Sequence, residues 1–158
     1  MNTKVEIFDR TKKKKLINKL EKEYGIKELP YLILKTGSEK FRIYSGIFST
    51  EELNYLAKKI NVQLIGTPLC TIKNEDIRLN FDTLNIPLIK SQISKNEIEL
   101  SDEEIKKWIR GENIEKDIEN KSKFIIVKNN KDYIGSGYNG KTFLKNYVPK
   151  ERRVKGKN

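Results

Sequence analysis

The chain has 158 residues, 36% of them hydrophobic and 35% charged, so we expect one ordinary domain or two small ones with a modest core. Without histidine and with a single cysteine, the sequence has almost no zinc ligands and cannot form an internal disulfide, and it lacks the apolar run of a membrane span. The net charge is +11, and residues 121–158, with eleven basic and two acidic side chains, indicate either a phosphate-binding face or a solvated basic tail.

The first half of the chain alternates helical and strand patterns. A helix is expected over 9–24, since its apolar residues share one face and Gly25 suits its end. A second helix follows Ser49, with Glu52 placed to complete a capping box. We expect Leu53, Leu56, Ala57 and Ile60 to form its buried stripe. Strands are predicted at 31–34, 41–44, 62–65, 69–72 and 76–81.

A polar stretch over 90–100 is interpreted as a domain boundary, which divides the chain into 1–95 and 96–158. Beyond it, Ser101 begins a helix and Glu104 stands at the capping-box position. Ile105, Trp108 and Ile109 are expected to form the apolar face of that helix. Strands are predicted at 124–127, 133–134 and 142–148. The fold class is therefore α+β, a small mixed α/β part followed by a β-rich part.

Residues 135–142, GSGYNGKT, fit the pattern of a phosphate-binding P-loop. A true P-loop leads into a helix, but FLKNYVP follows Thr142, is rich in strand formers and ends at Pro149. We therefore favour a glycine-rich hairpin. A nucleotide hydrolase that uses Lys141 and Thr142 is the least favoured alternative, and the prediction is that the protein is not an enzyme and needs no cofactor or metal.

The same segment has residue types that suit RNA. We predict phosphate contacts from its basic side chains, base contacts from its amides, stacking from its tyrosines, and turns at its glycines that let an RNA backbone approach. These residues are Lys141, Lys145, Lys150, Arg152, Arg153, Asn139, Asn146, Tyr138, Tyr147, Gly135, Gly137 and Gly140, with Lys121 and Lys123 as an extension. For Tyr147 core packing in a strand is favoured over stacking, and Phe143 is expected in the core.

The segment IGSGYNGKTFLKNYVPKERR resembles the closing part of the PUA-like RNA-binding domain attached to RNA cytosine-5 methyltransferases of the Sun/Fmu class. Upstream, LSDEEIKKWIRGENI is similar to the opening helix of that domain, and together these pieces cover about 98–154. VQLIGTPLCTIKNEDIRLNFDTLNI resembles the end of a pre-PUA domain, as found in stand-alone archaeal and eukaryotic ribosome-biogenesis factors. The resemblance implies a β-barrel-like PUA domain after a pre-PUA domain.

It also implies binding without catalysis, because the methyltransferase domain has no counterpart and Cys70 lies in an apolar strand pattern where we expect it to be buried. We predict a cytoplasmic monomer that binds rRNA or tRNA in ribosome biogenesis or RNA modification, beside a separate methyltransferase or ribosome-assembly proteins. The alternative is an adaptor, whose basic tail docks an acidic protein or whose acidic stretch 97–119 docks a ribosomal protein.

Overall fold

Two five-stranded sheets organise residues 5–60 and 65–156, the part of the chain that the structure, a computed structural model, describes. With the helices beside them they make the α+β fold that the sequence predicts. None of the helices in this part of the chain is long and apolar enough to cross a bilayer.

The first sheet is antiparallel throughout and follows chain order. Its strands are β1 (Val5–Ile7), β2 (Leu32–Thr36), β3 (Lys40–Tyr44), β4 (Thr67–Lys73) and β5 (Asp76–Leu79). The helices of this half are α1 (Arg10–Tyr24), α2 (Thr50–Lys59) and α3 (Pro87–Lys90). Leu16 and Leu20 of α1 pack against one face of this sheet, where they meet residues such as Ile33 and Cys70.

The second sheet has the order β6-β8-β9-β10-β7 and curls into a half-barrel. Its strands are β6 (Glu97–Glu99), β7 (Ile114–Glu115), β8 (Phe124–Asn129), β9 (Asp132–Asn139) and β10 (Phe143–Asn146). Only β6, parallel to β8, departs from antiparallel pairing among these described strands. Helix α4 (Asp102–Trp108) buries Trp108 in a core with Leu144 of this sheet and Val148 just after it.

The predicted helix ends are confirmed, because they depend on local chemistry. Asp9 caps α1 through the amide of Lys12, and Gly25 ends it with a φ of 87°. Ser49 and Ser101 both form capping boxes, with Glu52 and Glu104 respectively. Each box satisfies amides at the helix start that no residue inside the helix can reach.

The buried stripe predicted for α2 is wrong in its second half. Leu53 is buried, but Leu56 is half-buried and Ala57 and Ile60 are exposed. Three short strands, β1, β6 and β7, have too few residues for an alternating pattern and are absent from the sequence prediction. Most of the strand predicted at 62–65 lies outside the described residues.

The two halves of the chain share a packed junction. Ile126 and Tyr133, from the second sheet, belong to the same apolar core as helix α1. The hydroxyl of Ser136 donates to the carbonyl of Leu79 at 2.9 Å, and the side-chain amide of Asn85 donates to the carbonyl of Tyr133 at 2.8 Å. The division into domains 1–95 and 96–158 stays a prediction, since residues of the second half complete the core of the first.

Candidate nucleic-acid interface

The P-loop-like segment is a β-hairpin, as predicted. Residues 135–139 lie in β9, a turn follows at 140–142, and β10 then pairs antiparallel with β9. A strand therefore stands where a P-loop would have the start of its phosphate-binding helix. The Lys141 backbone has a φ of 70° in the turn, and its amide donates to the side chain of Asn139.

Gly135 and Gly137 make room for the protein's own core, which corrects the prediction that these two glycines form turns that receive an RNA backbone. Gly135 and Gly137 are buried inside β9 rather than in turns. A Cβ on Gly137 would stand 2.7 Å from Leu144 and 2.9 Å from the Trp108 ring, closer than real Cβ contacts. A Cβ on Gly140 would meet the ring of Phe143 at 2.3 Å.

The side chains of the two asparagines predicted to contact bases are hydrogen-bonded to other parts of the protein. The Asn146 amide donates to the carbonyls of Trp108 and Glu112, at 2.7 and 3.0 Å, and its oxygen accepts from Val148. The Asn139 amide donates to the carbonyls of Asn120 and Ser122. Base readout by either side chain does not fit these positions, because each base contact would break a bond already made.

The basic tail is docked rather than free. Arg153 crosses Gly111 and donates to the carbonyl of Val148 at 3.0 Å, and the Val154 amide donates to the carbonyl of Ile109. Arg152 pairs with Asp82 at 2.7 Å. Of the three predicted phosphate ligands in this tail, Lys150 and Arg152 are exposed, and Arg152 and Arg153 make contacts that hold the tail against the domain.

The outward side of the second sheet, together with Arg78 of β5 beside it, carries aromatic and basic side chains that solvent can reach. We name the aromatic–basic face for five side chains, none of which is fully buried: Arg78, Phe124, Tyr138, Lys145 and Tyr147. The Phe124 ring meets the edges of the two tyrosines at centroid distances of 6.0 and 5.8 Å. The Arg78 guanidinium stacks 4.6 Å from the centre of the Tyr147 ring, and the Lys145 ammonium lies 5.9 Å from it.

Strand alternation explains why these residues share a side. Phe124, Tyr138 and Lys145 stand opposite one another in register across β8, β9 and β10. The residues next to them, Ile125 and Leu144, are buried on the opposite side in the core that contains Trp108. The predicted placement of Tyr138 and Lys145 on one surface is therefore a consequence of the hairpin register.

Further lysines surround Tyr138. Lys121 and Lys141 are exposed, and together with Lys123 they line a shallow depression beside the tyrosine. Lys123 pairs with Asp76 at 2.7 Å, and this hydrogen bond raises the pKa of the ammonium. The structure thus places both of the lysines predicted to extend the surface beside the aromatic–basic face.

Two aromatic predictions meet different outcomes. Tyr147 is half-buried, so it both packs on Phe124 and leaves part of its ring accessible. Phe143, predicted in the core, is 38% exposed and covers Gly140, so that prediction is wrong. No residue pattern singles out Phe124, and Arg78 reaches Tyr147 only through the packing of the two halves.

The thiol and the side chains that commonly bind metals form no further candidate site in the described part of the chain. Cys70 is buried as predicted, and burial raises the pKa of its thiol to about 12, which keeps it protonated. Among residues 5–60 and 65–156, no three His, Cys, Asp or Glu side chains form a group that could hold a metal ion.

The part of the chain that forms the second sheet also matches a known protein family. Residues 95–154 match the family model of the methyltransferase RsmF PUA domain. This part of the chain is a PUA-like domain. It resembles those of Sun/Fmu-type methyltransferases, as predicted, and such a domain suggests RNA binding. No curated protein matches the chain. The pre-PUA assignment of the first half, which the family model does not cover, stays a prediction.

Proposed function

We propose that this protein binds RNA through the aromatic–basic face of its PUA-like domain and performs no catalysis. The observation that carries the proposal is the cluster in which Arg78 and Lys145 lie 4.6 and 5.9 Å from the centre of the partly exposed Tyr147 ring. Cations beside an aromatic ring can hold the phosphates of a strand whose base stacks on the ring. The inward side of the same sheet is filled by core residues and leaves no room for a ligand.

Electrostatics support an RNA ligand over a neutral one. Lys121, Lys141 and Lys145 are exposed around Tyr138 and Tyr147, and Lys150 is exposed on the tail beyond β10. Several phosphate contacts of this kind make affinity depend steeply on salt, with a slope of about −0.7 per contacted phosphate in a single strand. We therefore propose Arg78 and these four lysines as the phosphate ligands, with the two tyrosines as stacking residues.

The RNA that we propose is rRNA or tRNA, bound during ribosome biogenesis or RNA modification. The support is the match of residues 95–154 to the PUA domain of a methyltransferase. We propose that the protein works as a cytoplasmic monomer beside a separate methyltransferase or among ribosome-assembly proteins. Crosslinking in the cells that make this protein, followed by sequencing of the bound RNA, tests this assignment.

The decisive variant is Lys145→Gln, compared with Lys131→Gln as a matched control. Both lysines are exposed and in the same domain, but Lys131 lies at the β8–β9 turn, away from the aromatic–basic face. We expect Lys145→Gln to reduce RNA recovered by crosslinking and to lower the salt slope by about 0.7. Equal recovery for both variants would contradict the proposed surface.

A second candidate function, a protein adaptor, is favoured by one observation. Four apolar side chains on and beside α2 are exposed, Ile47 to 95% of its surface, together with Phe48, Tyr55 and Ile60. Exposed apolar groups of this kind are typical of protein interfaces. In contrast, the acidic stretch suggested for this role is partly neutralised, since Glu97 pairs with Lys128 and Glu104 with Lys116. A complex that survives ribonuclease would favour the adaptor.

A further inference from the structure

The first sheet presents a polar row that leads directly to the aromatic–basic face. Thr36, Lys40, Thr71 and Arg78 stand opposite one another in register across β2, β3, β4 and β5. Residues in one such cross-strand row point to the same side of a sheet, about 4.8 Å apart. Lys40 is exposed and the other three are half-buried, so the row is open to solvent.

This side of the sheet is opposite the one that α1 covers. Phe41, Cys70 and Leu79, which alternate with the row, belong to the core beneath α1. The row therefore runs over the outer side of β2 to β5 and ends at Arg78, whose guanidinium stacks on Tyr147. Arg78 is thus a member of both the row and the aromatic–basic face.

The charges around the row favour an anionic ligand. Lys73 and Asp76 form the neighbouring pair across β4 and β5, and Lys123, just before β8, binds Asp76 at 2.7 Å. This carboxylate is already neutralised, while Lys73 is exposed and adds a further cation. The hydroxyl of Thr71, between Lys40 and Arg78, and that of Thr36, at the far end of the row, can donate hydrogen bonds to phosphate or ribose oxygens.

We propose that an unpaired segment of the bound RNA continues from the aromatic–basic face across the first sheet, along Arg78, Thr71 and Lys40. This inference deepens the proposed function and rests on it. An unpaired strand is the fitting form, because partly exposed aromatic rings stack on bases that a duplex would hide. The first half of the chain then contributes phosphate contacts of its own, and the binding site belongs to both sheets.

Oligonucleotide length distinguishes this site from one confined to the PUA-like domain. Fluorescence anisotropy would compare labelled oligouridine of about 4 and about 12 nucleotides, since site sizes of single-strand binders fall in this range. We expect Lys40→Gln to weaken binding of the longer oligomer by about three- to tenfold and to reduce its salt slope by about 0.7, as expected for one lost phosphate contact. The shorter oligomer should bind within about twofold of the wild type, since it can be held by the aromatic–basic face alone.

Lys14→Gln is the matched control, because it removes one exposed positive charge from α1, on the other side of the sheet. Lys73→Gln is a second test of the row, with an expected loss smaller than that of Lys40→Gln. Circular dichroism would verify that each variant is folded.

Each outcome decides something different. A wild-type protein that binds neither oligomer overturns the proposed function together with this inference. Binding that weakens in Lys145→Gln but is unchanged in Lys40→Gln and Lys73→Gln overturns the row and leaves the proposed function standing. A duplex of the same length that competes as well as the oligomer overturns the assignment to unpaired RNA. If Lys40→Gln and Lys73→Gln lose no more affinity than Lys14→Gln, the loss comes from the change in net charge and the row is overturned.

Discussion

The two sides of the β9–β10 hairpin differ in environment, since one is buried in the core and the other lies at the surface. The inward side packs Gly137 and Leu144 tightly against Trp108 in the buried core. The outward side places Tyr138 and Lys145 at the surface, with a cation and a ring in alternation. Residues adjacent in sequence therefore differ completely in what a substitution should do. Inward changes should alter the stability of the protein, and outward changes should alter its affinity for RNA.

The strongest way to break the inward side is Trp108→Ala. The side chain is fully buried and its indole donates to the carbonyl of Ile134 at 2.7 Å. We expect the free energy of unfolding to fall by about 3–5 kcal/mol, through the cavity and the lost hydrogen bond. Urea denaturation followed by circular dichroism measures this loss. Tyr55→Ala, at an exposed ring, is the control and should stay near the wild type.

Gly137→Ala tests whether the hairpin glycine serves the core. The added methyl group would press on the Trp108 ring and Leu144, so we expect a loss of about 1–3 kcal/mol in the free energy of unfolding. Gly156→Ala is the control, because a Cβ there meets no atom within 4 Å. A folded, equally stable Gly137→Ala protein with weakened RNA binding would instead return this glycine to the interface.

Tyr147→Leu tests the outward side. Leucine keeps apolar contact with Phe124 but offers no ring to Arg78 or to a base. We expect RNA affinity to fall about tenfold, in line with about 1–3 kcal/mol for one stacked base, while the urea midpoint moves little. Anisotropy and denaturation on the same preparation make the comparison. Equal loss in both measurements would mean that the ring serves packing alone.

The smallest expected effect concerns Glu104, which supports the helix behind the inward side. Burial raises the pKa of its carboxyl, but hydrogen bonds from the Ser101 amide and Lys116 outweigh burial and leave the pKa below its usual value. This carboxylate therefore stabilises the fold above the unfolded pKa of about 4.3, and the contribution disappears as pH falls through the lower folded pKa.

For Glu104→Gln we expect a loss below about 1 kcal/mol at pH 7, given the partial exposure of the pair. The difference from the wild type should vanish in strongly acidic solution. Denaturation curves at several pH values between neutral and about 2 follow this convergence. A gap of the same size at every pH would assign the loss to packing rather than to charge.

What the sequence could predict was mostly local. Capping boxes at Ser49 and Ser101 depend on residues three positions apart, and the hairpin over 135–142 depends on its turn and on the strand formers beside it. The burial of Cys70 followed from an apolar strand pattern. In each of these cases the deciding interactions lie within a few residues along the chain.

What the sequence could not predict depended on distant partners. Asn146 suits a base contact by residue type, but the carbonyls of Trp108 and Glu112 occupy its amide. Arg153 suits a phosphate, but it packs across Gly111. The stacking of Arg78 on Tyr147 needs both sheets in place. Such contacts follow from the packing of elements far apart in the chain, which residue patterns do not specify.

The bonds at the junction of the two sheets have a consequence for binding. Ser136 is fixed to the backbone of Leu79, and Lys123 is fixed to Asp76, so β5 and the second sheet form one rigid support for Arg78 and Tyr147. A ligand that lies across both sheets does not have to bring them together first. Because the two sheets are already held together in the folded protein, binding does not have to offset the entropy lost in ordering them, and affinity is higher for the same contacts. For an RNA bound along both sheets as proposed, the separation between Lys40 and Lys145 sets the shortest strand that can contact both lysines.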